Sequence, residues 1–389
     1  MSQPAKVNIE LKAYRPDSQK ACETAKSLGG KQLHSGTETD TYFRVARGRL
    51  KIRQSEARGE CLIYYERLNM PQLRTSRFDV VPLPPGASLV EPLSRALATL
   101  AVVTKQRAAF EIGPALINVD SLEGLGEFVE LEVDAERAGG EDKARQIGER
   151  LKADFHITAP DMVPWSYVDL KLMHENAGKC RARLQRADKP GTLFLFDGAS
   201  CSGKTTLVSR LAGDADVGAA YVPRYCTRLQ RATEKQSSEY RFVSGKRFEQ
   251  LTAKGAFIEY RDFEFGMSYG LPWKETMKAL LAGRNAVGII NLGNIAHVKR
   301  IFPEAVTILI DAPLKDIEAR LTGRREHTPS QIEERLANAR SVEAYRPYYD
   351  HVVCNPQGGL EQAFIEIRGI LAARPAGRPS PENGASRAC

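Results

Sequence analysis

Gly198-Ala199-Ser200-Cys201-Ser202-Gly203-Lys204-Thr205 stands between the apolar run Leu193-Phe194-Leu195-Phe196 and the segment Thr206-Leu207-Val208-Ser209-Arg210-Leu211. The spacing reads as a phosphate loop placed where a strand passes into a helix. Glycines let the backbone wrap closely enough for N–H groups to face phosphate oxygens, and the helix N-terminus adds its positive dipole. On this reading Gly198, Ser200, Ser202, Gly203, Lys204, Thr205 and Thr206 contact ATP, with Lys204 reaching the β and γ phosphates and Thr205 ligating Mg²⁺. Downstream, apolar strands at Ala286 to Asn291 and Val306 to Asp311 alternate with helical patterns at Leu314 to Leu321 and Ser330 to Arg340. That alternation predicts an α/β P-loop domain with a parallel sheet.

Working outward, the 389 residues are enough for two or three domains. The composition is that of a globular protein, 42% hydrophobic and 27% charged, with no apolar run long enough to span a bilayer. The polar start, Met1 to Asn8, lacks a signal-peptide core, so the expected location is cytoplasmic, with no membrane partner. Seven cysteines form no C-x-x-C pair, and their odd number argues against a disulfide framework. The six histidines show no metal-ligand spacing. A net charge of +8 suits nucleic acid or phosphate-bearing small molecules, and the second is the expected partner class. An RNA-binding protein using the phosphate loop as a switch is a rival, but no aromatic platform supports it. The chain leaves room for a homodimer. Residues 173–190, polar and basic, read as a linker between a domain at 5–172 and a P-loop domain at 191–372. A Pro-, Gly- and Arg-rich tail at 373–389 reads as disordered.

The first domain favours short alternating strands. Val7-Ile9-Leu11 opposes Asn8-Glu10-Lys12, Leu50-Ile52 opposes Arg49-Lys51-Arg53, and Val129-Leu131-Val133 opposes Glu130-Glu132; Lys105 pairs with Arg107 and Asn118 with Asp120 in the same way. An open antiparallel sheet with one wet face has this pattern. So does a closed barrel with a charged lumen, in which cations could grip a triphosphate while carboxylates hold Mg²⁺ or Mn²⁺.

These segments resemble the CYTH superfamily of class IV adenylyl cyclases and triphosphatases. The pieces that carry the likeness are Asn8-Ile9-Glu10-Leu11-Lys12, Asp40-Thr41-Tyr42-Phe43, Gly48 to Arg53, Leu62 to Arg67, Lys105-Gln106-Arg107, Val119 to Glu132 and Ser166-Tyr167. The resemblance implies an antiparallel β-barrel, a triphosphate tunnel. It implies that Glu10, Glu130 and Glu132 hold metal with Asp120 nearby, and that Lys12, Arg49, Lys51, Arg53, Arg67, Lys105 and Arg107 contact the triphosphate. Two positions depart from the family pattern: Asn8 stands for the usual first glutamate, and Glu66 followed by Arg67 for the usual strand lysine. Cyclisation and hydrolysis of a nucleoside triphosphate are both open.

Behind the phosphate loop come Arg224-Tyr225-Cys226-Thr227-Arg228-Leu229-Gln230-Arg231, Glu239 to Ser244, Phe257-Ile258-Glu259-Tyr260 and Gly266 to Gly270. Guanidinium forks and tyrosine hydroxyls suit a phosphomonoester acceptor. The ordered set resembles the guanylate kinase family and its relative ribose 1,5-bisphosphate phosphokinase. The likeness implies an ATP-dependent kinase in which Arg224, Arg228, Arg231, Tyr240, Glu259 and Tyr269 bind the acceptor. Lys204 with Arg320, Arg324 and Arg335 of a lid would then be catalytic. Arg224 replaces a guanine-contacting serine, and Asn291 and Asn294 lie where an acidic strand end is usual. The acceptor is therefore a nucleoside monophosphate or a ribose phosphate. The whole reads as a bifunctional enzyme, or as a kinase with a non-catalytic nucleotide-binding CYTH module.

Overall fold

The structure, a computed structural model, describes residues 5–87, 89–230, 239–263, 266–323 and 328–373. The chain divides into two compact units: the first is Met1–Glu175 together with Glu249–Gly255 and Arg261–Met267, and the second is the remainder from Asn176 on. Much of the stretch 173–190 is helical, because one helix runs from Tyr167 to Gln185. The tail beyond residue 373 lies outside the described residues.

In the first unit, eight strands close into a barrel: β1 (Lys6–Tyr14), β2 (Lys31–Phe43), β3 (Arg49–Ser55), β4 (Gly59–Arg67), β5 (Arg74–Pro82), β6 (Thr99–Ile112), β7 (Ala115–Leu122) and β8 (Gly126–Asp134). Their order around the barrel is β1-β5-β4-β3-β2-β6-β7-β8, and every adjacent pair is antiparallel. The period of two sorts the side chains. Ile9 and Leu11 of β1, Ile117 and Val119 of β7, and Val129, Leu131 and Val133 of β8 turn outward. There they form a core with Leu151 and Phe155 at the end of the helix Glu141–Asp154. Their neighbours Glu10, Lys12, Asp120, Glu130 and Glu132 must then turn inward. Closure removes every strand edge, so the wet faces of the sequence pattern become one lumen.

The second unit holds a five-stranded sheet of β9 (Leu193–Asp197), β10 (Ala220–Tyr221), β15 (Ala286–Ile289), β16 (Val306–Asp311) and β17 (His351–Cys354). The order β10-β15-β9-β16-β17 is parallel throughout. β9 is buried along its whole length, as a central parallel strand requires. Phe194, Phe196, Ile308 and Ile310 pack on Leu207, Val208 and Leu211 of the helix Lys204–Gly213 and on Phe364 and Ile367 of the helix Leu360–Ala372. A second sheet, β12-β11-β14-β13, contains β11 (Arg224–Cys226), β12 (Tyr240–Phe242), β13 (Phe257–Phe263) and β14 (Met267–Pro272).

Candidate functional site

The lumen of the barrel is packed with opposite charges. Asp40, fully buried on β2, accepts from Lys51 Nζ at 2.8 Å, Arg53 Nε at 2.8 Å and Lys105 Nζ at 2.9 Å. Burial alone would raise its pKa, but Arg53, Lys105 and Lys51 together hold the carboxyl well below the usual range. Glu38, two residues earlier and equally buried, meets Arg58 at 2.7 Å, Lys105 at 3.2 Å and Arg53 at 3.3 Å. Arg107 grips Asp120 with two bonds, at 2.6 and 2.5 Å, and the Tyr167 hydroxyl donates to the same carboxylate at 2.7 Å.

Around β1 and β8 the expected metal ligands lie among expected phosphate ligands. Glu10 meets Arg67 at 3.0 Å and Arg74 at 3.1 Å. Glu130 meets Lys12 at 2.8 Å and Arg107 at 2.7 Å. Glu132, opposite Glu10 in register, has amide partners instead, Asn118 at 2.9 Å and Asn8 at 3.4 Å. With no cation bonded to it, burial and the charge of Glu130 push its carboxyl up to about 7. The lysines move the other way: burial lowers Lys12 to about 8, and burial with the nearby Arg53 charge lowers Lys51 to about 7. Arg49 lies apart from this group, on Asp169 at 2.6 Å. As hard oxygen donors Glu10, Glu130 and Glu132 suit Mg²⁺ or Mn²⁺ in kind. Among the described residues, however, no three acidic, His or Cys side chains gather as a metal-binding group; here Glu10 and Glu130 are taken up by cations.

Register settles the departure at Glu66. Arg67 lies in the lumen on Glu10, whereas Glu66 faces Arg47 outside. Glu38 and Arg74 were not singled out from the sequence, and Asp40, though part of the family likeness, was given no role. Glu38 and Asp40 alternate with Thr39 and Thr41 on β2, a period that was legible; Arg74 opens β5, with no alternating run before it to mark its face.

In the second unit the phosphate loop leaves the carboxyl end of β9, where open α/β sheets bind ligands. Gly198 has φ +141° and Gly203 φ +100°, and a Cβ on Gly198 would stand 2.2 Å from the Ile310 carbonyl oxygen. Neither position admits another residue without strain. Lys204 folds back on its own loop, donating to the Gly198 and Ala199 carbonyls at 2.6 Å each, and burial lowers it to about 8. Arg335 donates to Ser200 Oγ at 2.7 Å. Arg320 donates to the carbonyls of Cys201 at 3.2 Å and Asn355 at 3.0 Å. Arg320 and Arg335, two of the three arginines expected in a lid, thus both meet the loop; Arg324 lies outside the described residues. Asn355, which sequence reasoning missed, ties the loop down by donating to the Ser202 carbonyl at 2.7 Å.

Arg224, Arg228, Tyr240 and Tyr269 gather because β11 lies between β12 and β14, pairing Arg224 with Tyr240 and Cys226 with Tyr269. Arg228 donates to the Tyr269 hydroxyl at 3.1 Å, and its guanidinium sits 5.1 Å from the Tyr240 ring centroid. Arg231 lies outside the described residues. Glu259 is fully buried and takes amide donors from Asn291 at 2.8 Å and Asn294 at 2.5 Å on Oε2. Arg224 in turn donates to the Asn291 side-chain oxygen. Burial raises the Glu259 pKa, and Arg224 and the amides oppose that rise. Among the described residues, buried Glu259 Oε1, Asn294 Oδ1 and Arg224 Nε meet no hydrogen-bond partner.

Comparison with known proteins follows the same division. The guanylate kinase family matches residues 191–374 and the CYTH domain residues 6–166. The chain is 37% identical over 188 residues to the guanylate kinase of Neisseria gonorrhoeae, covering 48% of this chain and 90% of that enzyme. Among solved structures, guanylate kinase from Anaplasma phagocytophilum aligns with 48% of this chain and 86% of its own, at 23% identity and a TM-score of 0.39. The PH1012 protein of Pyrococcus horikoshii OT3 aligns with 41% of this chain and 97% of its own, at 20% identity and a TM-score of 0.36.

Proposed function

Since the chain belongs to the guanylate kinase family through residues 191–374 and carries a CYTH domain in residues 6–166, we propose that it is a bifunctional phosphate-metabolising enzyme. The C-terminal unit transfers a phosphoryl group from ATP to a nucleoside monophosphate or ribose phosphate. The N-terminal barrel processes a nucleoside triphosphate by cyclisation or hydrolysis. The observation that carries the kinase half is the meeting of Arg335 and Arg320 with the loop that holds Lys204. On this reading Lys204 leaves its carbonyls for the β and γ phosphates, and the two arginines neutralise charge developing on the transferred group. Arg228, Tyr240 and Tyr269 hold the acceptor phosphate so that its oxygen attacks in line. Mg²⁺, held by Thr205 when bound, supplies further charge neutralisation.

For the acceptor, the unpartnered atoms beside Glu259 favour a guanine nucleotide. Two acceptors, Glu259 Oε1 and Asn294 Oδ1, and one donor, Arg224 Nε, complement the N1–H, 2-amino group and O6 of guanine. A ribose phosphate offers hydroxyls but not the fixed planar set of two donors beside one acceptor that a guanine edge presents. Mass analysis of the products from ATP and a panel of nucleoside monophosphates and ribose phosphates tests this. GMP should be phosphorylated in preference to AMP, and Glu259→Gln should lower kcat/KM for GMP by about ten- to a hundredfold. A ribose phosphate turned over faster than GMP, with no effect of Glu259→Gln, would transfer the reading to the sugar.

In the barrel, the carrying observation is a closed lumen in which Lys12, Lys51, Lys105 and Arg107 are all buried. Lysines lowered toward neutrality by burial are cations short of anionic charge, which a triphosphate supplies. Asn8 in place of a glutamate supports a second reading, a module that binds nucleotide without turning it over. Incubating a Lys204→Ala full-length protein with ATP, GTP, thiamine triphosphate or tripolyphosphate and Mn²⁺ separates the two. Turnover of one of them supports the enzyme; retained binding without turnover supports the module.

A further inference from the structure

Asp197 ends β9 at the root of the phosphate loop and is fully buried. Its Oδ1 accepts from the Gly198 N–H at 2.7 Å and its Oδ2 from the Tyr349 hydroxyl at 2.5 Å. Among the described residues no cation pairs with it. A buried carboxylate in that position is kept ionised only by hydrogen-bond donors and by charge at a distance. Burial pushes its pKa up to about 6, against the Tyr349 and Gly198 bonds and the nearby Lys204 charge. Tyr349, itself raised well above the usual tyrosine range by burial and by Asp197, remains a hydroxyl. From β13 the Glu259 carboxylate disfavours ionisation further. β16 sets Leu309 in register with Asp197, and its Asp311, two residues on, is taken by Arg346. β15 pairs Ile289 with Phe196 and is followed by the neutral Asn291. Lys204 is thus the cation that favours ionisation most, and it rests on the Gly198 and Ala199 carbonyls directly beyond Asp197.

Nucleotide upsets this balance. On the kinase reading Lys204 leaves those carbonyls for the phosphates, so Asp197 meets incoming negative charge with less support from the lysine. A like charge nearby favours the neutral acid. We infer that Asp197 is a proton-linked positioning residue: the phosphate loop takes up a proton on this carboxyl when it binds nucleotide. The proton comes from solvent and forms an O–H bond at Oδ2. That O–H then donates to Tyr349 Oη, the hydroxyl turning from donor to acceptor, while Oδ1 keeps the Gly198 N–H. Because the bound state favours the protonated acid, nucleotide affinity is greatest at low pH and falls as pH rises above the free value. The inference rests on reading residues 198–205 as a nucleotide loop. It adds a residue that positions the loop from beneath and a pH dependence of binding.

Calorimetric titration of the full chain with ADP and Mg²⁺, in buffers of different ionisation enthalpy, tests it. Lys204→Ala is the reference for nucleotide bound outside the loop. Near pH 7 wild type should take up as much as about one proton per ADP more than Asp197→Asn, whose amide stands in for the neutral acid. The subtraction removes protons carried by the nucleotide itself. From about pH 6 to 8, wild-type affinity should fall by up to about tenfold per unit relative to Asp197→Asn. Tyr349→Phe removes a donor to the ionised carboxyl, so in that variant the fall should begin at higher pH than in wild type. A merely structural Tyr349 would leave the profile where it is. Equal proton uptake by wild type and Asp197→Asn would overturn the inference. If circular dichroism shows that Asp197→Asn does not fold, Tyr349→Phe decides, and an unshifted profile overturns it. ADP bound no more tightly by wild type than by Lys204→Ala would instead remove the nucleotide reading of the loop.

Discussion

The barrel lumen and the phosphate loop are both suited to phosphate, but they are built from different materials. The loop relies on backbone: glycine-bearing turns, a helix N-terminus, and a lysine that rests on its own carbonyls. The lumen relies on side chains that already neutralise one another, with Asp40 bonded to three cations and Asp120 clamped by Arg107. A backbone site needs no counter-charge to fold. A side-chain site does, so its ligand must replace ion pairs that the fold already depends on.

The largest effect that could break this contrast is on stability. Removing Asp40 leaves Lys51, Arg53 and Lys105 buried without their common partner, so Asp40→Ala should cost about 3–5 kcal/mol of barrel stability in denaturant titration. A change under about 1 kcal/mol would mean that the lumen charges are hydrated rather than mutually satisfied. Nearly as large is the loss expected in the loop. Lys204→Ala should lower kcat for phosphoryl transfer by about 10²–10³-fold while leaving tripolyphosphate binding by the barrel intact and the fold unchanged by circular dichroism. Equal loss at both sites would show that they are not independent.

A smaller effect sharpens the comparison through pH. Lys51, lowered to about 7 in the free protein, is charged below that value and is drawn upward when an anion binds. Tripolyphosphate affinity should therefore be greatest below pH 7 and fall as pH rises through it, by up to about tenfold per unit. Lys51→Arg keeps the charge at every pH and should flatten that part of the profile in calorimetric titrations at several pH values. An unchanged profile would remove Lys51 from the binding surface.

How much of this was legible in the sequence also divides by site. The phosphate loop could be read because its geometry lies within eight consecutive residues, and Arg320 and Arg335 stand near each other in sequence. The inward charges of β1, β3 and β8 followed from alternation. The hub at Asp40 did not, because its partners come from β3 and β6, and only closure of the barrel brings those strands around it. The choice between Glu66 and Arg67 hung on a one-residue register that pattern alone left open, and pairing with β5 resolves it. Arg74 was hidden because its role depends on standing opposite Glu10 across the β1–β5 pair. Asn355 was hidden likewise, because 153 residues of chain separate it from Ser202, whose carbonyl it holds.

The most direct test of the central claim is a crystal structure of the full chain with Mn²⁺ and tripolyphosphate, with the metal located by anomalous scattering. The account predicts tripolyphosphate inside the barrel on Lys12, Arg53, Lys105 and Arg107, with the Glu130–Lys12 and Glu130–Arg107 pairs opened. Metal and phosphate found only at the loop around Lys204, with those lumen pairs still closed, would contradict it.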